Sequence, residues 1–279
     1  MPRSRKAASG PREPAPPLKK KLGQHHLVDG ALCRPLVHFL SLPNLTLEGQ
    51  RVLEIGPGGG VLTRELLSAG ARVLGWELDL PWATTLHHRL PDPRLRLVVA
   101  DALDLPWHRL PSPTLVAGNL PYNVATAILE RLLPHHERVP KAAFLLQKEV
   151  AERLVAKPGD KAYGSLSVIV AAYAEARILG RVRPGSFRPP PKVESAFVGL
   201  TLHAPPLPEE QMPGFVDLVR FAFNQRRKTL RNALAARWGR EKVEEVLRRA
   251  GVEGGRRAEE VGIQEWAELK RGLYVAPPC

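Results

Sequence analysis

The sequence predicts an α/β protein in which a mostly parallel sheet carries helices on both faces, followed by a small all-α domain. Three observations support this fold class. Short apolar runs alternate with segments of helical periodicity from about residue 50 to residue 202, as in a parallel sheet covered by helices. A proline-rich stretch, HAPPLPEEQMP at residues 203–213, interrupts both patterns. Beyond this stretch the apolar residues follow helical spacing alone.

The individual elements follow from these patterns in chain order. Apolar runs of strand length predict seven strands, at residues 51–55, 73–77, 95–100, 114–118, 142–147, 175–182 and 194–202. Helical spacing predicts helices between them, at residues 62–69, 82–90, 125–133 and 148–156, and the length of the ambiguous segment 166–174 favours a helix as well. After the proline-rich linker we predict four short helices, at residues 215–223, 229–238, 242–250 and 264–271.

These elements divide the chain into three parts. Residues 1–22 form a basic arm, residues 23–203 an α/β domain, and residues 204–279 a linker with a helical domain. The longest apolar run, at residues 168–174, is far shorter than the ~18 to 20 residues of a membrane helix. The two cysteines, Cys33 and Cys279, are too few for a disulfide framework or a cysteine-based metal site. We therefore expect a cytoplasmic protein with no membrane attachment and no metal, and a monomer, because no self-complementary apolar stripe is evident.

The charge of the chain points to a polyanionic partner. The formal net charge is +13 and the sequence pI is about 10.2, and such a positive field attracts nucleic acids. Basic residues are concentrated in two segments: residues 1–22 hold seven against one acidic residue, and residues 220–240 hold seven and no acidic one. Either segment alone could be an ordinary solvated surface. Together they favour a nucleic-acid substrate.

A glycine-rich turn follows the first predicted strand. The segment EIGPGGG places Glu54 before glycines at positions 56, 58 and 60, at the edge of the sheet where doubly wound folds bind ligands. Glu77 ends the second strand, about 20 positions after the first glycine, where such folds hydrogen-bond a ribose. The pairing predicts a cofactor that contains adenosine.

Two such cofactors are possible, a nicotinamide dinucleotide and S-adenosylmethionine. The dinucleotide pattern needs a third glycine at position 61, where this chain has Val61. The spacing E-x-G-x-G-x-G is instead typical of methyltransferases. Asp101 and Ala102 follow the third strand, so Asp101 can accept a hydrogen bond from the adenine amino group while Ala102 covers the ring; Asp101 can also cap the next segment. We therefore predict S-adenosylmethionine.

The fourth predicted strand leads into Asn119, Leu120, Pro121 and Tyr122, a match to the [DNS]-[PIL]-P-[YFW] tetrapeptide of amino-methyltransferases. The N6 lone pair of adenine is delocalised into the ring, so catalysis depends on positioning. The carboxamide oxygen of Asn119 and a backbone carbonyl near Leu120 can accept both N6 hydrogens and aim the lone pair at the methyl group. Tyr122 can stack on the extruded base. The alternative is an ordinary strand-ending turn.

With these motifs, the sequence resembles the KsgA/RsmA family of ribosomal RNA adenine dimethyltransferases along nearly its whole length. The resemblance is carried by eight segments in order, which are KKLGQHHL (20–27), EIGPGGG (54–60), ELD (77–79), DA (101–102), NLPYNVAT (119–126), LLQKEVAERL (145–154), SFRPPPKVESAF (186–197) and FNQRRKTLRNAL (223–234). It implies a class I methyltransferase fold of the Rossmann-like type. It also implies dimethylation of N6 on two adjacent adenosines in the 3′-terminal hairpin of small-subunit ribosomal RNA, within a precursor of the 30S subunit.

The resemblance also implies roles for particular residues. Catalytic roles fall to Asn119, Leu120, Pro121, Tyr122 and, as a second aromatic ring against the target base, Phe187; the alternative for Phe187 is a core anchor. Cofactor contacts fall to Gln24, His25, Leu27, Glu54, Gly56, Gly58, Glu77, Leu78, Asp101, Ala102 and Asn119. RNA contacts fall to Lys19, Lys20, Lys21, Arg226, Arg227, Lys228 and Arg231. The chain departs from the family at His25 and His26, where asparagine and phenylalanine are usual.

Three other functions stay open at this point. A large-subunit ribosomal adenine methyltransferase of the antibiotic-resistance type shares the NLPY segment. A non-enzymatic RNA-binding assembly factor could keep the fold, although the intact Asn119 and Tyr122 oppose a loss of catalysis. A nicotinamide-dependent oxidoreductase is disfavoured by Val61 and by the lack of an evident catalytic Tyr-Lys or His-Asp pair.

Overall fold

The computed structural model describes residues 16–17, 25–41, 46–121, 124–225 and 227–274. Within these ranges the strands are β1 (His26–Leu27), β2 (Arg51–Ile55), β3 (Arg72–Glu77), β4 (Leu95–Val99), β5 (Leu115–Asn119), β6 (Lys141–Gln147), β7 (Ala174–Val182), β8 (Phe187–Arg188) and β9 (Ser195–Leu202). The helices are α1 (Arg34–Leu40), α2 (Val61–Ser68), α3 (Leu80–Arg89), α4 (Ala125–Leu132), α5 (Lys148–Val155), α6 (Ser165–Tyr173), α7 (Met212–Phe223), α8 (Leu230–Trp238), α9 (Arg240–Ala250) and α10 (Ile263–Leu273).

In the described residues, seven strands form one mixed sheet in the order β4-β3-β2-β5-β6-β9-β7. The five strands from β4 to β6 are parallel, and β9 runs antiparallel to both β6 and β7. The chain first builds outward from β2 through β3 to β4 and then returns to β5 on the other side of β2. The carboxyl ends of β2 and β5 therefore meet where the strand order reverses, which is where open α/β sheets bind ligands.

Both faces of the sheet are buried, as the prediction of helices on two faces requires. Along β2, Leu53 and Ile55 belong to one apolar cluster and Val52 to another. Because successive side chains of a strand point to opposite faces, the two clusters lie on opposite sides of the sheet. The predicted α/β class with a helical C-terminal part is confirmed, and segment 166–174 is a helix (α6) as its length suggested.

The C-terminal helices pack onto the sheet domain. Phe215 of α7 and Trp266 of α10 are fully buried in the same apolar cluster as Phe144 of β6. The hydroxyl of Tyr163 donates a 2.8 Å hydrogen bond to the carbonyl of Val261. The domain boundaries at residues 22 and 203 stay a prediction. Within the described ranges, no helix is both long and apolar enough to cross a membrane.

Two elements near the N-terminus were not predicted. The seven-residue α1 is too short for a clear periodic pattern, although Asp29 caps the turn before it by accepting from the amide of Ala31 at 2.9 Å. The pairing of β1 with β8 joins two-residue strands about 160 positions apart, with Leu27 opposite Phe187. Strands of two residues are too short to show a hydrophobic period in the sequence. Their pairing nevertheless brings the segment before α1 to the edge of the sheet.

Candidate active site

A cleft lies at the carboxyl edge of the parallel strands. Its lining includes many of the residues predicted from sequence to bind cofactor or substrate, which are His25, Gly56, Gly58, Glu77, Leu78, Asp101, Ala102, Asn119, Leu120 and Pro121. These come from the ends of β2, β3, β4 and β5 and from the segment before β1. The fold thus brings together residues almost 100 positions apart in one concave site, as expected for a small-molecule pocket.

The glycine-rich turn forms one wall of the cleft. Gly56, Gly58 and Gly60 have φ values of +68°, +49° and +76°, a region that side chains rarely allow. At Gly58 a Cβ atom would also lie 2.4 Å from Cε1 of His26. Glycine is therefore required at this position for two reasons, the backbone conformation and the contact with the histidine ring.

Glu77 is buried beside this turn, with an exposure of 6%. Its Oε2 accepts a 2.9 Å hydrogen bond from the amide of Gly58, and its Oε1 accepts one of the same length from the amide of Asp79. Burial raises the pKa of Glu77, and the backbone amides offset part of that rise. Because each carboxylate oxygen has two acceptor positions, Glu77 can still accept hydrogen bonds from a bound diol.

The end of β4 supplies the next wall of the cleft. Asp101 caps the following turn, since its Oδ1 accepts from the amide of Leu103 at 2.8 Å, and its backbone carbonyl accepts from the indole Nε1 of Trp76 at 2.9 Å. The capping role that the sequence suggested for Asp101 is confirmed. Leu78 lines the cleft with 49% of its surface exposed. Such an apolar surface inside a cleft suits a flat ring.

Asn119 is held in one orientation at the end of β5. Its Nδ2 donates a 2.7 Å hydrogen bond to the backbone carbonyl of His25, so the carboxamide oxygen Oδ1 is its acceptor for a ligand. The carbonyl of Pro121 already accepts from the amides of Val124 and Ala125, at 3.2 and 3.1 Å. The carbonyl of Leu120 is therefore the better candidate for the second acceptor.

His26 also lines the cleft and contacts both the glycine turn and Trp82. Its ring stacks on Trp82 with a centroid distance of 4.4 Å and an interplanar angle of 25°. Its Nδ1 accepts a 3.2 Å hydrogen bond from the amide of Gly59, which requires an unprotonated Nδ1. Burial, and then the neighbouring His25, lower the pKa of His26. Among the residues that the structure describes, no group of three or more His, Cys, Asp and Glu side chains is placed to hold a metal ion.

Three described residues that were predicted to contact the cofactor or the target base do not line the cleft. Phe187 and Leu27 are 0% and 6% exposed and pack in the apolar cluster on one face of the sheet. For Phe187 this arrangement favours the core-anchor alternative over a ring that stacks on the target base. Glu54 is buried within β2, and burial raises the pKa of its carboxyl to about 8. The side chains of Leu27 and Glu54 point into the interior, so neither is placed to contact a ligand in this cleft.

The predicted RNA-binding residues that the structure describes differ in how freely they face solvent. Arg227 and Lys228 are exposed in the turn between α7 and α8. Arg231 is held within the helical domain instead: its Nε lies 3.8 Å from Glu244 and it packs against Gly254. Arg231 is therefore a weaker candidate for RNA contact than the sequence suggested. Six predicted site residues lie outside the described residues, namely Lys19, Lys20, Lys21, Gln24, Tyr122 and Arg226.

Several contributors to the site were not predicted. Trp76 lines the cleft, and its hydrogen bond to the carbonyl of Asp101 connects β3 to the end of β4. Val124 and Ile128 also line the cleft. Gly118 precedes Asn119 within β5, and a Cβ atom there would lie 2.6 Å from the carbonyl oxygen of Ile55. A glycine inside an apolar strand signals such a close backbone approach, so Gly118 was detectable in the sequence.

Comparisons with known proteins agree with this geometry. The family model for ribosomal RNA adenine dimethylase matches residues 17–273. A protein named ribosomal RNA small subunit methyltransferase A, from Synechococcus sp. (strain JA-3-3Ab), is 41% identical over 265 residues, covering 93% of this chain and 94% of that protein. The protein of the same name from Methylococcus capsulatus is 40% identical over 258 residues, covering 91% and 97%.

Solved structures show the same architecture. A dimethyladenosine transferase from Plasmodium falciparum superimposes with a TM-score of 0.72 at 22% identity, covering 88% of this chain and 96% of that one. The 23S rRNA methyltransferase ErmE superimposes with a TM-score of 0.65 at 27% identity, covering 86% and 97%. Both similarities extend over the sheet and the helical part of the chain.

Proposed function

The chain belongs to the ribosomal RNA adenine dimethylase family, and we propose that it uses S-adenosylmethionine to dimethylate N6 of two adjacent adenosines in the 3′-terminal hairpin of small-subunit ribosomal RNA. The observation that carries the proposal is the position of Asn119. Its carboxamide is oriented by the carbonyl of His25 and lines one cleft with Gly56, Glu77 and Asp101. That cleft combines the adenosine-binding groups with an acceptor for an amine.

The cleft fits S-adenosylmethionine. Glu77 lies where it can accept from ribose hydroxyls, and the side chain of Asp101 can accept from the adenine amino group. The exposed Leu78 can cover the adenine ring, and Gly56 and Gly58 leave room for the backbone to approach the ligand. When bound, the cofactor would supply a methyl group that is electrophilic because it is attached to a sulfonium. Cationic charge at that centre is compatible with a cleft lined by the carboxylates of Glu77 and Asp101.

The protein's part of the reaction is positioning. The Oδ1 of Asn119 and the carbonyl of Leu120 accept hydrogen bonds from the N6 hydrogens, which localises the lone pair on N6. The bound cofactor would supply its methyl group to that lone pair, and the electron pair of the broken C–S bond would stay on sulfur. The methylated nitrogen, then positively charged, would lose a proton to water. No side chain needs to act as a strong base, so a neutral amide suffices at position 119.

A second transfer to the same nitrogen is possible with the same residues. After one methyl group is added, N6 keeps a single hydrogen, and one acceptor is then enough to orient it. We assign that contact to Asn119, because its amide group is fixed by the bond to His25. The cleft therefore supports the formation of N6,N6-dimethyladenosine.

Small-subunit RNA is favoured over large-subunit RNA as the substrate. The relatives named for the small subunit are about 40% identical to this chain over more than 90% of its length, whereas ErmE, named for 23S rRNA, is 27% identical. We also propose a precursor of the 30S subunit as the physiological partner, because the methylated hairpin belongs to that particle. We propose a monomer as the active form, because the sequence has no evident self-complementary apolar stripe.

The test is to incubate the protein with isotopically labelled S-adenosylmethionine and small-subunit ribosomal RNA or 30S particles that lack the modification, and then to map the labelled nucleotides. We expect two adjacent dimethylated adenosines in the 3′-terminal hairpin. Labelling of 23S RNA alone, or no labelling of any RNA, would contradict the proposal.

A further inference from the structure

We propose that the opposite, amino-terminal edge of the sheet carries a second RNA contact, a cleft where Arg51, Arg72 and Arg96 bind phosphates of the RNA strand outside the target hairpin. This inference rests on the proposed function for its choice of RNA. It concerns a surface that none of the predicted cofactor or RNA contacts occupies.

The arginines are brought together by the strand register. Arg51 begins β2 and Arg72 begins β3, and the two are direct neighbours in the parallel pairing. Arg96 of β4 is the neighbour of Leu74, two positions after Arg72, and therefore lies on the same face. Adjacent strands are about 4.8 Å apart, so three strands spread the guanidinium groups over about 10 Å. That span matches several successive phosphates of one strand.

Within the described ranges these charges have no acidic partner. Arg51, Arg72 and Arg96 are exposed, and no carboxylate of those ranges forms an ion pair with any of them. A fourth arginine nearby, Arg94, is different: it pairs with Asp92 at 2.7 Å and donates to the carbonyl of Leu67 at 2.9 Å. Like charges on directly opposed strand residues destabilise a sheet, so a row of unneutralised arginines is best explained by an external anion.

The surroundings of the arginines suit a nucleotide rather than a free ion. The three line a cleft whose accessible apolar floor is formed by the half-buried Leu74 and the exposed prolines at positions 93 and 111. Guanidinium groups hydrogen-bond phosphates in a bidentate manner, while the apolar floor can contact a ribose or the edge of a base. The strand β2 runs from this cleft to the cofactor cleft, about 15 Å away. One RNA molecule could therefore reach both.

The test compares two triple variants with equal loss of charge. The first replaces Arg51, Arg72 and Arg96 by Gln. The control replaces three arginines that each pair with a glutamate of their own helix, Arg153, Arg248 and Arg249. The affinity of each protein is measured for the isolated 3′-terminal hairpin and for a longer fragment with the flanking helices, across a range of salt concentrations.

We expect the first variant to bind the longer fragment about tenfold more weakly, with a salt slope lower by about 2 for three lost phosphate contacts. Its affinity for the isolated hairpin and for S-adenosylmethionine should stay the same, and its Tm should not fall, because no internal partner is lost. Equal losses in both triple variants would contradict the proposal, and so would a large fall in Tm for the first variant. Absence of methyl transfer by the unaltered protein would contradict the proposed function instead, since these affinities do not depend on turnover.

Discussion

The two edges of the parallel sheet are built from the same strands but present opposite chemistry. At the carboxyl edge, β3 ends in Glu77, β5 ends in Asn119, and Asp101 follows β4. They supply two carboxylates and an amide. At the amino edge, β2 and β3 begin with Arg51 and Arg72. Between the edges, the central strands β2 and β5 are mostly apolar and buried.

The difference shows how one sheet can serve two ligands of opposite charge. The interior of each strand is selected for packing, so specificity lies in the residues at its ends. The acidic edge is suited to a cationic cofactor and an amine. The basic edge is suited to phosphates. The two sets of charges are about 15 Å apart along a strand, which is beyond the Debye length of about 8 Å at physiological salt. We therefore expect substitutions at one edge to leave binding at the other nearly unchanged.

The largest effect is expected for Asn119→Ala. Loss of the amide that orients N6 should reduce kcat by about 10²- to 10³-fold or more, as for the loss of other preorganised hydrogen-bonding groups. Single-turnover methyl transfer measures this effect, and RNA affinity should change less than twofold. An unchanged rate would remove Asn119 from the mechanism.

The next largest effect is expected for Glu77→Ala. The variant loses the acceptor for a ribose hydroxyl and also the two bonds that hold the amides of Gly58 and Asp79. We expect the affinity for S-adenosylmethionine, measured by calorimetry, to fall by about 10- to 100-fold. The control is Glu149→Ala, which removes an exposed carboxylate from α5. Equal effects of the two substitutions would show that Glu77 has no specific role.

A smaller, pH-dependent effect is expected at His26. Its pKa is lowered in the folded protein, so the ring is neutral above about pH 6.5 and accepts from the amide of Gly59. Below that pH the unfolded state binds the proton more readily than the folded state, so folding stability falls with acidification. A protonated ring could not accept that bond, and burial, followed by the neighbouring His25, disfavours protonation.

We therefore expect the affinity for S-adenosylmethionine to fall on acidification, by less than the roughly tenfold that an unshifted pKa of about 6.5 would give between pH 7.5 and 5.5. His26→Phe keeps a ring against Trp82 but has no titrating acceptor, so its affinity should be lower at pH 7.5 and should depend less on pH. His26→Asn, which can still accept from Gly59, should recover affinity at pH 7.5. An identical pH profile in the unaltered protein and in His26→Phe would contradict this role.

The smallest effect is expected for the exposed pair Arg227 and Lys228. Replacing both by Gln should weaken RNA binding a few-fold and reduce the salt slope by about 0.7 for each phosphate contact that is lost. Cofactor affinity should not change. If the salt slope stays the same, this turn is not a phosphate-binding surface.

The fold could be predicted almost completely from the sequence, because the information is local. The strand that contains Leu53 and the helix that contains Ile128 each show a continuous period in the chain. The pairing of Leu27 with Phe187 could not be predicted in this way, since two-residue strands have no period and their partners are far apart in the sequence.

Only part of the candidate site could be predicted from the sequence. Glu77, Asp101 and Asn119 line one cleft, as expected for residues at or just after the ends of neighbouring parallel strands. The burial of Glu54 was not predicted. Glutamate is usually exposed, and its place in the cofactor motif suggested a side chain that faces the ligand. The stacking of His26 on Trp82 joins segments that are distant in the sequence. No sequence pattern predicts such a contact. The arginine cleft was missed because its members are separate in the chain and meet only through strand register.

The most direct test of the account is a structure of the protein with S-adenosylhomocysteine and adenosine. We predict that the ribose hydroxyls of the cofactor product lie within hydrogen-bonding distance of Glu77, and that its adenine lies between Leu78 and Ala102. The N6 of the substrate adenosine should contact Oδ1 of Asn119, with Nδ2 still bound to the carbonyl of His25. An Asn119 side chain turned away from N6, or a cofactor product bound outside this cleft, would contradict the central claim.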